Sequence, residues 1–198
     1  MNLKTKIATF ISILGHPLLT LPLFVAIVMF SNEKIETASF LSFLIIGCVF
    51  VPLTMLLYFR SKKGEYTNFD VSDRKQRKSV FVFLLPLLLI VCIILYVTKQ
   101  SGSLYLSVLF ATMLVFVSQI VNLFIKSSLH VSLNIYLSFL IMPMSFTIGI
   151  IFLLLTILIG WSRIVLGRHT LKEVLFGASI GLIIGLSLCY AQTNFKWF

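Results

Sequence analysis

The sequence predicts an all-α fold, a polytopic bundle of about six to seven transmembrane helices. Hydrophobic residues make up 59% of the 198 residues, and the mean hydropathy is +1.08, more apolar than a soluble domain of this size needs. The apolar residues form runs of roughly the 20 residues that cross a bilayer as a helix. Backbone N–H and C=O groups in lipid must form their hydrogen bonds within the segment, and an α-helix forms them in this way. We expect one membrane-embedded domain over residues 1–198.

Seven apolar runs are the expected membrane helices, in order along the chain. They cover residues 8–30, 39–59, 79–98, 104–125, 131–144, 146–160 and 173–192. The first follows Lys4 and Lys6 but continues too far for a signal peptide. The fifth and sixth are one apolar stretch that Met142-Pro143 should break, because proline cannot continue an ordinary helix. Each half has only about 14 residues, ~21 Å, so the pair either spans a thinned bilayer or forms a re-entrant loop.

Most basic residues fall on one predicted membrane face. It carries the N-terminus, the polar segment 60–78 and the links 126–130 and 161–172. The positive-inside rule makes this face cytoplasmic, although an anion-binding site would also draw basic residues to its own face. We expect an integral protein of a bacterial inner (cytoplasmic) membrane, in contact with bilayer lipid and with no nucleic-acid partner. The sequence leaves the oligomeric state open.

The most informative stretch is Ser162-Arg163, five residues, His169, three residues and Glu173. A neutral imidazole can attack phosphorus, and a carboxylate four residues on lies on the same helix side and can hold one ring N–H. Arg163 can clamp phosphoryl oxygens bidentately. Two other interpretations stay open: Thr170 and Glu173 as a helix capping box, and Arg163 as a cation that snorkels to the membrane interface.

A second element, Ser127-Ser128-Leu129-His130, falls on the same predicted face before an apolar helix. It could also be a serine N-cap beside an interfacial histidine. The third histidine, His16, precedes Pro17 and is interpreted as a helix-bending position.

Together these two elements resemble signatures of the type 2 phosphatidic acid phosphatase (PAP2) family, S-R-x5-H-x3-D and P-S-G-H. The resemblance is strongest over residues 126–185. It implies a six-helix core phosphatase acting on lipid monophosphates or diphosphates. His169 would form a phosphohistidine, Glu173 would orient it, and His130 would protonate the leaving oxygen as a general acid. Arg163 and Ser128 would bind the phosphate.

The chain departs from the family pattern at several positions. Glu173 replaces the aspartate, and Ser127 and Leu129 replace the proline and glycine of the second signature. The first signature, K-x6-R-P, matches poorly: with Arg77 as its arginine, Asp70 stands at the lysine position and Lys78 at the proline position. The residues Arg74, Arg77 and Lys78 are nevertheless candidate phosphate ligands, with contact to anionic lipid as the other interpretation.

The predicted function is a metal-independent lipid phosphatase without a cofactor. Its substrate would be an isoprenoid diphosphate, phosphatidylglycerophosphate or phosphatidic acid. The chain has only six acidic residues, of which Asp70 and Asp73 alone cluster, so basic residues rather than a metal would supply the charge. Cys48, Cys92 and Cys189 lack metal-site spacing. The alternatives are a catalytically inactive PAP2-like binding or transport protein, and a Mg²⁺-dependent prenyltransferase using the aspartate-rich segment 68–74.

The last predicted helix has glycines at intervals of four, Gly177, Gly181 and Gly185. Such a stripe lets another helix approach closely. We expect the approaching helix to belong to the same bundle rather than to a second copy.

Overall fold

Helices account for most of residues 2–194, the part of the chain that this computed structural model describes. They are, in chain order, α1 Leu3–Leu14, α2 Pro17–Asn32, α3 Ile35–Ser42, a π-helical segment Phe43–Phe50, α4 Val51–Lys62, α5 Arg74–Val97, α6 Gly102–Phe124, α7 Leu129–Ile141, α8 Phe146–Val165 and α9 Leu171–Asn194. No strand occurs within these residues. The all-α prediction is confirmed.

Five helical stretches are long and apolar enough to cross a membrane, and the bent pair α1–α2 would make a sixth. The five are Ile35–Lys62, Arg74–Val97, Gly102–Phe124, Phe146–Val165 and Leu171–Asn194. This count is near the predicted six to seven. The difference lies at α7, which has 13 residues, ten of them buried. Its length of ~20 Å and its burial make α7 a core helix, around which α2, α6, α8 and α9 pack.

The predicted first helix, residues 8–30, is broken at Gly15-His16, and α1 and α2 meet at 41°. His16 is the N-cap of α2, and its Nδ1 accepts a hydrogen bond from Leu18 N–H at 3.1 Å. Pro17 follows as the first residue of α2, a position whose N–H has no partner within the helix, so the missing N–H of proline costs no hydrogen bond. The helix-bending role predicted for His16 is thus confirmed.

The apolar stretch after residue 130 breaks at Met142-Pro143 as predicted, because α7 ends at Ile141 and α8 begins at Phe146. The predicted end of the next helix, residue 160, is wrong. Helix α8 continues to Val165, so Ser162 and Arg163 lie in its last turn rather than in a polar link. Both side chains are buried there by packing of α8 on α1 and α7.

The glycine stripe of α9 packs against α7, within the same chain. A Cβ at Gly177 would lie 2.5 Å from the backbone oxygen of Ser128, and one at Gly181 would lie 2.7 Å from that of Ser132. Side chains at these positions would therefore force the helices apart. The predicted intrabundle role of the stripe is confirmed.

Three interhelical connections meet at one end of the bundle: residues 63–73, 125–128 and 166–170. The Nη1 of Arg77 in α5 donates to the backbone oxygen of Ser127 at 2.6 Å. Ser128 N–H in turn donates to the backbone oxygen of Glu173 at 3.1 Å. These segments therefore meet at one end of the bundle, although two apolar helices separate Arg77 from Ser127.

Candidate active site

His169 lies in the connection between α8 and α9, is 6% exposed, and faces Glu173. The distance from its Nδ1 to Glu173 Oε2 is 3.0 Å. Because an ionised carboxylate only accepts hydrogen bonds, Nδ1 carries the ring proton and Nε2 keeps its lone pair. The ring nitrogen with an available lone pair is therefore Nε2.

Glu173 also caps helix α9 with the same oxygen. Its Oε2 accepts from Thr170 N–H at 3.0 Å, and Thr170 Oγ1 accepts from Glu173 N–H at 3.3 Å, which is a reciprocal capping box. The sequence offered capping and orientation of the histidine as competing interpretations. The structure combines them, so the fold of this helix start fixes the position of the carboxylate that holds His169.

Buried positive charge surrounds His169. Burial, followed by the charges of Arg77, Lys126 and Arg163, lowers the pKa of His169 to about 2. An imidazole with such a pKa is neutral at any physiological pH. Neutral imidazole is the form that can attack phosphorus.

Arg163 is 1% exposed, so its side chain does not snorkel to the interface. Its Nη1 donates to Ser12 Oγ at 2.6 Å and to Asp70 Oδ2 at 2.7 Å. Its Nε has no hydrogen-bond partner among the described residues. The guanidinium is therefore anchored from one side by α1 and by the connection 63–73, while its Nε–H remains free to donate. Phosphate binding by Arg163 stays a prediction.

Asp70, at the position where the family has lysine, is bound on both oxygens. Its Oδ1 lies 3.1 Å from His16 Nε2, and its Oδ2 binds Arg163. Burial by itself raises the pKa of Asp70, but the hydrogen bond from His16 and the charge of Arg163 outweigh burial and hold this pKa well below its usual range. Asp70 is thus an ionised counter-charge that fixes Arg163.

His130 and Ser128, the two side chains matched to the second signature, are almost completely buried. The ring of His130 packs edge-on against that of His16, with centroids 4.6 Å apart. Neither His130 Nε2 nor Ser128 Oγ has a hydrogen-bond partner within residues 2–194. Ser128 is the N-cap residue of α7, as one interpretation predicted, but its hydroxyl makes no capping hydrogen bond to the helix. Unpaired buried polar atoms are costly, so each calls for an explanation such as a bound ligand.

The three basic residues predicted from the first signature lie in different places. Arg77 is 5% exposed and holds the backbone of Ser127, so it forms a wall of the site. Arg74 is exposed and donates to the backbone oxygen of Phe124 at 2.7 Å. Lys78 is exposed, and no hydrogen bond or ion pair joins it to the site within the described residues. The structure therefore brings only Arg77 to His169, and neither Arg74 nor Lys78.

Sequence reasoning missed Lys126 and the site contacts of His16 and Asp70. Lys126 Nζ donates to the backbone oxygen of Arg168 at 2.5 Å and lies 3.8 Å from Glu173 Oε2. Burial lowers the pKa of Lys126. The position of Lys126 directly before the Ser127–His130 element could have indicated that it belongs to the site. His16 gave no comparable signal, because its contacts depend on the bend between α1 and α2.

One group of side chains could in principle hold a metal. Ligand atoms of His16, Asp70 and His130 lie within 4.8 Å of one another. However, His16 Nδ1 accepts Leu18 N–H, so the ring proton sits on Nε2, the atom that faces Asp70. A metal there would have to displace that proton and break the N-cap of α2, beside the positive charge of Arg163. The donor set fits a cation poorly.

The aspartate-rich segment is engaged by the protein itself. Asp73 is the N-cap of α5 and accepts from Lys75 N–H at 2.8 Å and Gln76 N–H at 3.0 Å. Asp70 is bound to Arg163 and His16. Neither carboxylate is presented as a free ligand for a magnesium-bound diphosphate, which weighs against the prenyltransferase alternative.

Comparison with known proteins supports the interpretation of the carboxy-terminal part. No curated protein and no solved structure matches the chain. Residues 103–197, which contain both the second and third signature elements, match the family model described as the PAP2 superfamily. This match confirms the resemblance seen in the motifs and is consistent with the chain being a PAP2 family member.

Proposed function

We propose that this protein is an integral-membrane phosphatase that removes phosphate from a lipid phosphomonoester or diphosphate through a phosphohistidine at His169. The PAP2 match and the apolar helices fit a family of membrane phosphatases. The observation that carries the proposal is the His169 Nδ1–Glu173 Oε2 hydrogen bond inside a buried cluster of basic residues. That contact orients a neutral nucleophile where a phosphate would be attracted.

In the first step, the lone pair of His169 Nε2 attacks phosphorus and the phosphorus–oxygen bond to the lipid breaks. Burial, followed by the charge of Arg163, lowers the pKa of His130 well below its usual value when the site is empty. The negative charge of a bound phosphate would favour its protonated form, whose Nε2 gives a proton to the departing oxygen. Glu173 stabilises the positive charge that develops on the His169 ring. The products of this step are the lipid alcohol (or lipid monophosphate) and phosphohistidine.

In the second step, water attacks the phosphohistidine. His130, now neutral, accepts a proton from that water, and the phosphorus–nitrogen bond breaks with its electron pair returning to His169 Nε2. Inorganic phosphate leaves, and both histidines regain their starting states. No oxidant, reductant or further reactant is needed.

Phosphate binding would use the buried donors that surround His169. Arg163 Nε–H and the Ser128 hydroxyl, both unpartnered, are the proposed direct donors to phosphoryl oxygens. Lys126 supplies nearby positive charge and takes the place of the lysine that Asp70 replaces. Phosphoryl transfer depends mainly on such positioning and charge neutralisation, which fits a reaction that proceeds without a metal ion.

A catalytically inactive PAP2-like binding protein is the second candidate. The Asp70–Arg163 ion pair favours it, because a carboxylate already neutralises the arginine expected to bind phosphate. The two candidates differ in whether phosphate is released.

The test is phosphate release by the purified protein in detergent with EDTA. An isoprenoid diphosphate, phosphatidylglycerophosphate and phosphatidic acid would each be offered to wild type and to His169→Ala. Lys172→Ala is the matched control, since Lys172 is exposed on the same helix start. We expect EDTA-resistant release that is lost only in His169→Ala. Release from no substrate, or release that survives the loss of His169, would overturn the proposal.

A further inference from the structure

An apolar cavity of about 340 Å³ lies inside the membrane-spanning part of the bundle, between α2, the π-helical segment, α5, α6 and α7. Aliphatic side chains such as Val25, Leu88 and Val108 form most of its wall. Ligand sites in proteins have volumes of roughly 300–1,000 Å³ and are mainly apolar. The cavity is therefore large enough for part of a lipid.

This cavity adjoins the polar site. A smaller cavity of about 90 Å³ is lined by His16, Asp70, Arg77 and His130. The two cavities share five wall residues, Pro17, Leu18, Leu53, Leu84 and Leu133. A molecule whose hydrocarbon part fills the large cavity would thus place its polar end beside His130.

The position of His130 agrees with this arrangement. In the proposed reaction His130 protonates the leaving oxygen, and that oxygen carries the hydrocarbon chain. His130 lines the small cavity next to the shared wall. The chain would extend from the leaving oxygen into the apolar cavity.

We propose that this cavity binds the hydrocarbon chain of the lipid phosphate substrate. As a statement about turnover it rests on the proposed phosphatase function, whereas the binding of the chain can be tested without turnover. Both an unbranched alkyl chain and an isoprenoid chain have the required chemistry.

The turnover experiment compares Ala111→Phe with Met113→Phe. Ala111 lines the cavity on α6, whereas Met113 is 42% exposed on the outer side of the same helix. The substrates are dodecyl, farnesyl and butyl phosphate. A phenyl ring in the cavity would exclude three to four methylene groups, each worth about fourfold in binding. The dodecyl-to-butyl ratio of kcat/KM should then fall roughly a hundredfold in Ala111→Phe and stay at its wild-type value in Met113→Phe.

Between the two long-chain substrates, the one with the higher kcat/KM identifies whether the cavity takes an unbranched or an isoprenoid chain. An unchanged dodecyl-to-butyl ratio in Ala111→Phe would overturn the proposed site.

A labelling experiment separates failure of this inference from failure of the phosphatase proposal. Dodecyl phosphonate with a diazirine at the chain end would be photolysed with the otherwise unaltered His169→Ala protein, and the labelled residues mapped. Label on cavity residues such as Ser107 or Leu140 supports the chain site even if no substrate is hydrolysed. Label confined to lipid-facing residues such as Met113 would overturn the chain site even if phosphate is released.

Discussion

Gly177 is the position where one added methyl group should disturb the site most directly. In Gly177→Ala the new Cβ would lie 2.5 Å from the backbone oxygen of Ser128, whereas ordinary contacts begin at 3.4 Å, so the two backbones must separate by about 0.9 Å. The Ser128 N–H···O Glu173 bond, 3.1 Å long, would then lengthen to about 4.0 Å and be lost. Because the added methyl group meets backbone atoms, no side-chain rotation relieves the contact.

The expected result is a double loss. Displacement by about 1 Å of groups that must converge on one phosphate can cost roughly a hundredfold in rate. Overpacking of this kind costs about 1–3 kcal/mol of stability, which lowers the thermal midpoint by roughly 3–10 °C. Phosphate release and thermal unfolding in the same detergent would measure the two effects.

Gly47→Ala is the matched control. The nearest atoms to its new Cβ belong to the Phe43 ring, at 3.1 Å, and Phe43 is 70% exposed, so the ring can rotate away. Wild-type rate and thermal midpoint are expected there. If Gly177→Ala also kept both, the close packing of α9 on the Ser128 backbone would be refuted.

Three further predictions concern the charged groups of the site. Glu173→Gln keeps an oxygen that can accept from Thr170 N–H but removes the negative charge beside His169. Phosphate release should therefore fall about 10- to 100-fold, while the helix content measured by circular dichroism stays unchanged. Loss of helix content would show that Glu173 acts mainly as the cap of α9. Asp70→Asn should cost about 3 kcal/mol of stability at neutral pH, because buried Arg163 keeps its charge without a counter-ion. Because the pKa of Asp70 is lowered in the folded protein, this deficit in thermal stability should be full above about pH 4, the ordinary carboxyl pKa of the unfolded chain, and should shrink at lower pH. Equal stability of Asp70→Asn and wild type at neutral pH would contradict this prediction. Because the pKa of His169 is lowered to about 2, phosphoenzyme formation from an aryl phosphate should not decline between about pH 8 and 5; a decline centred near pH 6.5 would show an ordinary histidine.

The membrane helices could be predicted because they depend on local properties of the sequence. Apolar runs of sufficient length located the five long spans, and Pro143 located the end of α7. The glycine stripe at Gly177, Gly181 and Gly185 indicated a close helix contact, although it did not identify Ser128 and α7 as the partner. The pairing of His169 with Glu173 followed from a spacing of four residues at a helix start.

The rest of the site depends on contacts between distant segments, which such patterns do not encode. Arg163 binds Ser12 across 151 residues and Asp70 across 93. The first contact requires α1 to pack on α8, and the second requires the connection 63–73 to fold back over the site. His16 reaches Asp70 only because the chain bends before Pro17. None of these packing events has a periodic signature in the sequence.

The covalent intermediate is the most direct test of the central claim. The protein would be mixed with its best substrate, quenched in alkali, in which phosphohistidine survives, and digested for mass spectrometry. The account predicts phosphate on the peptide that contains His169. More of it should accumulate in His130→Ala with an aryl phosphate substrate, because an aryl leaving group does not need the general acid whereas the attack of water still needs His130 as the base. Phosphate on His16 or His130, or turnover with no phosphorylated peptide, would contradict a nucleophilic His169.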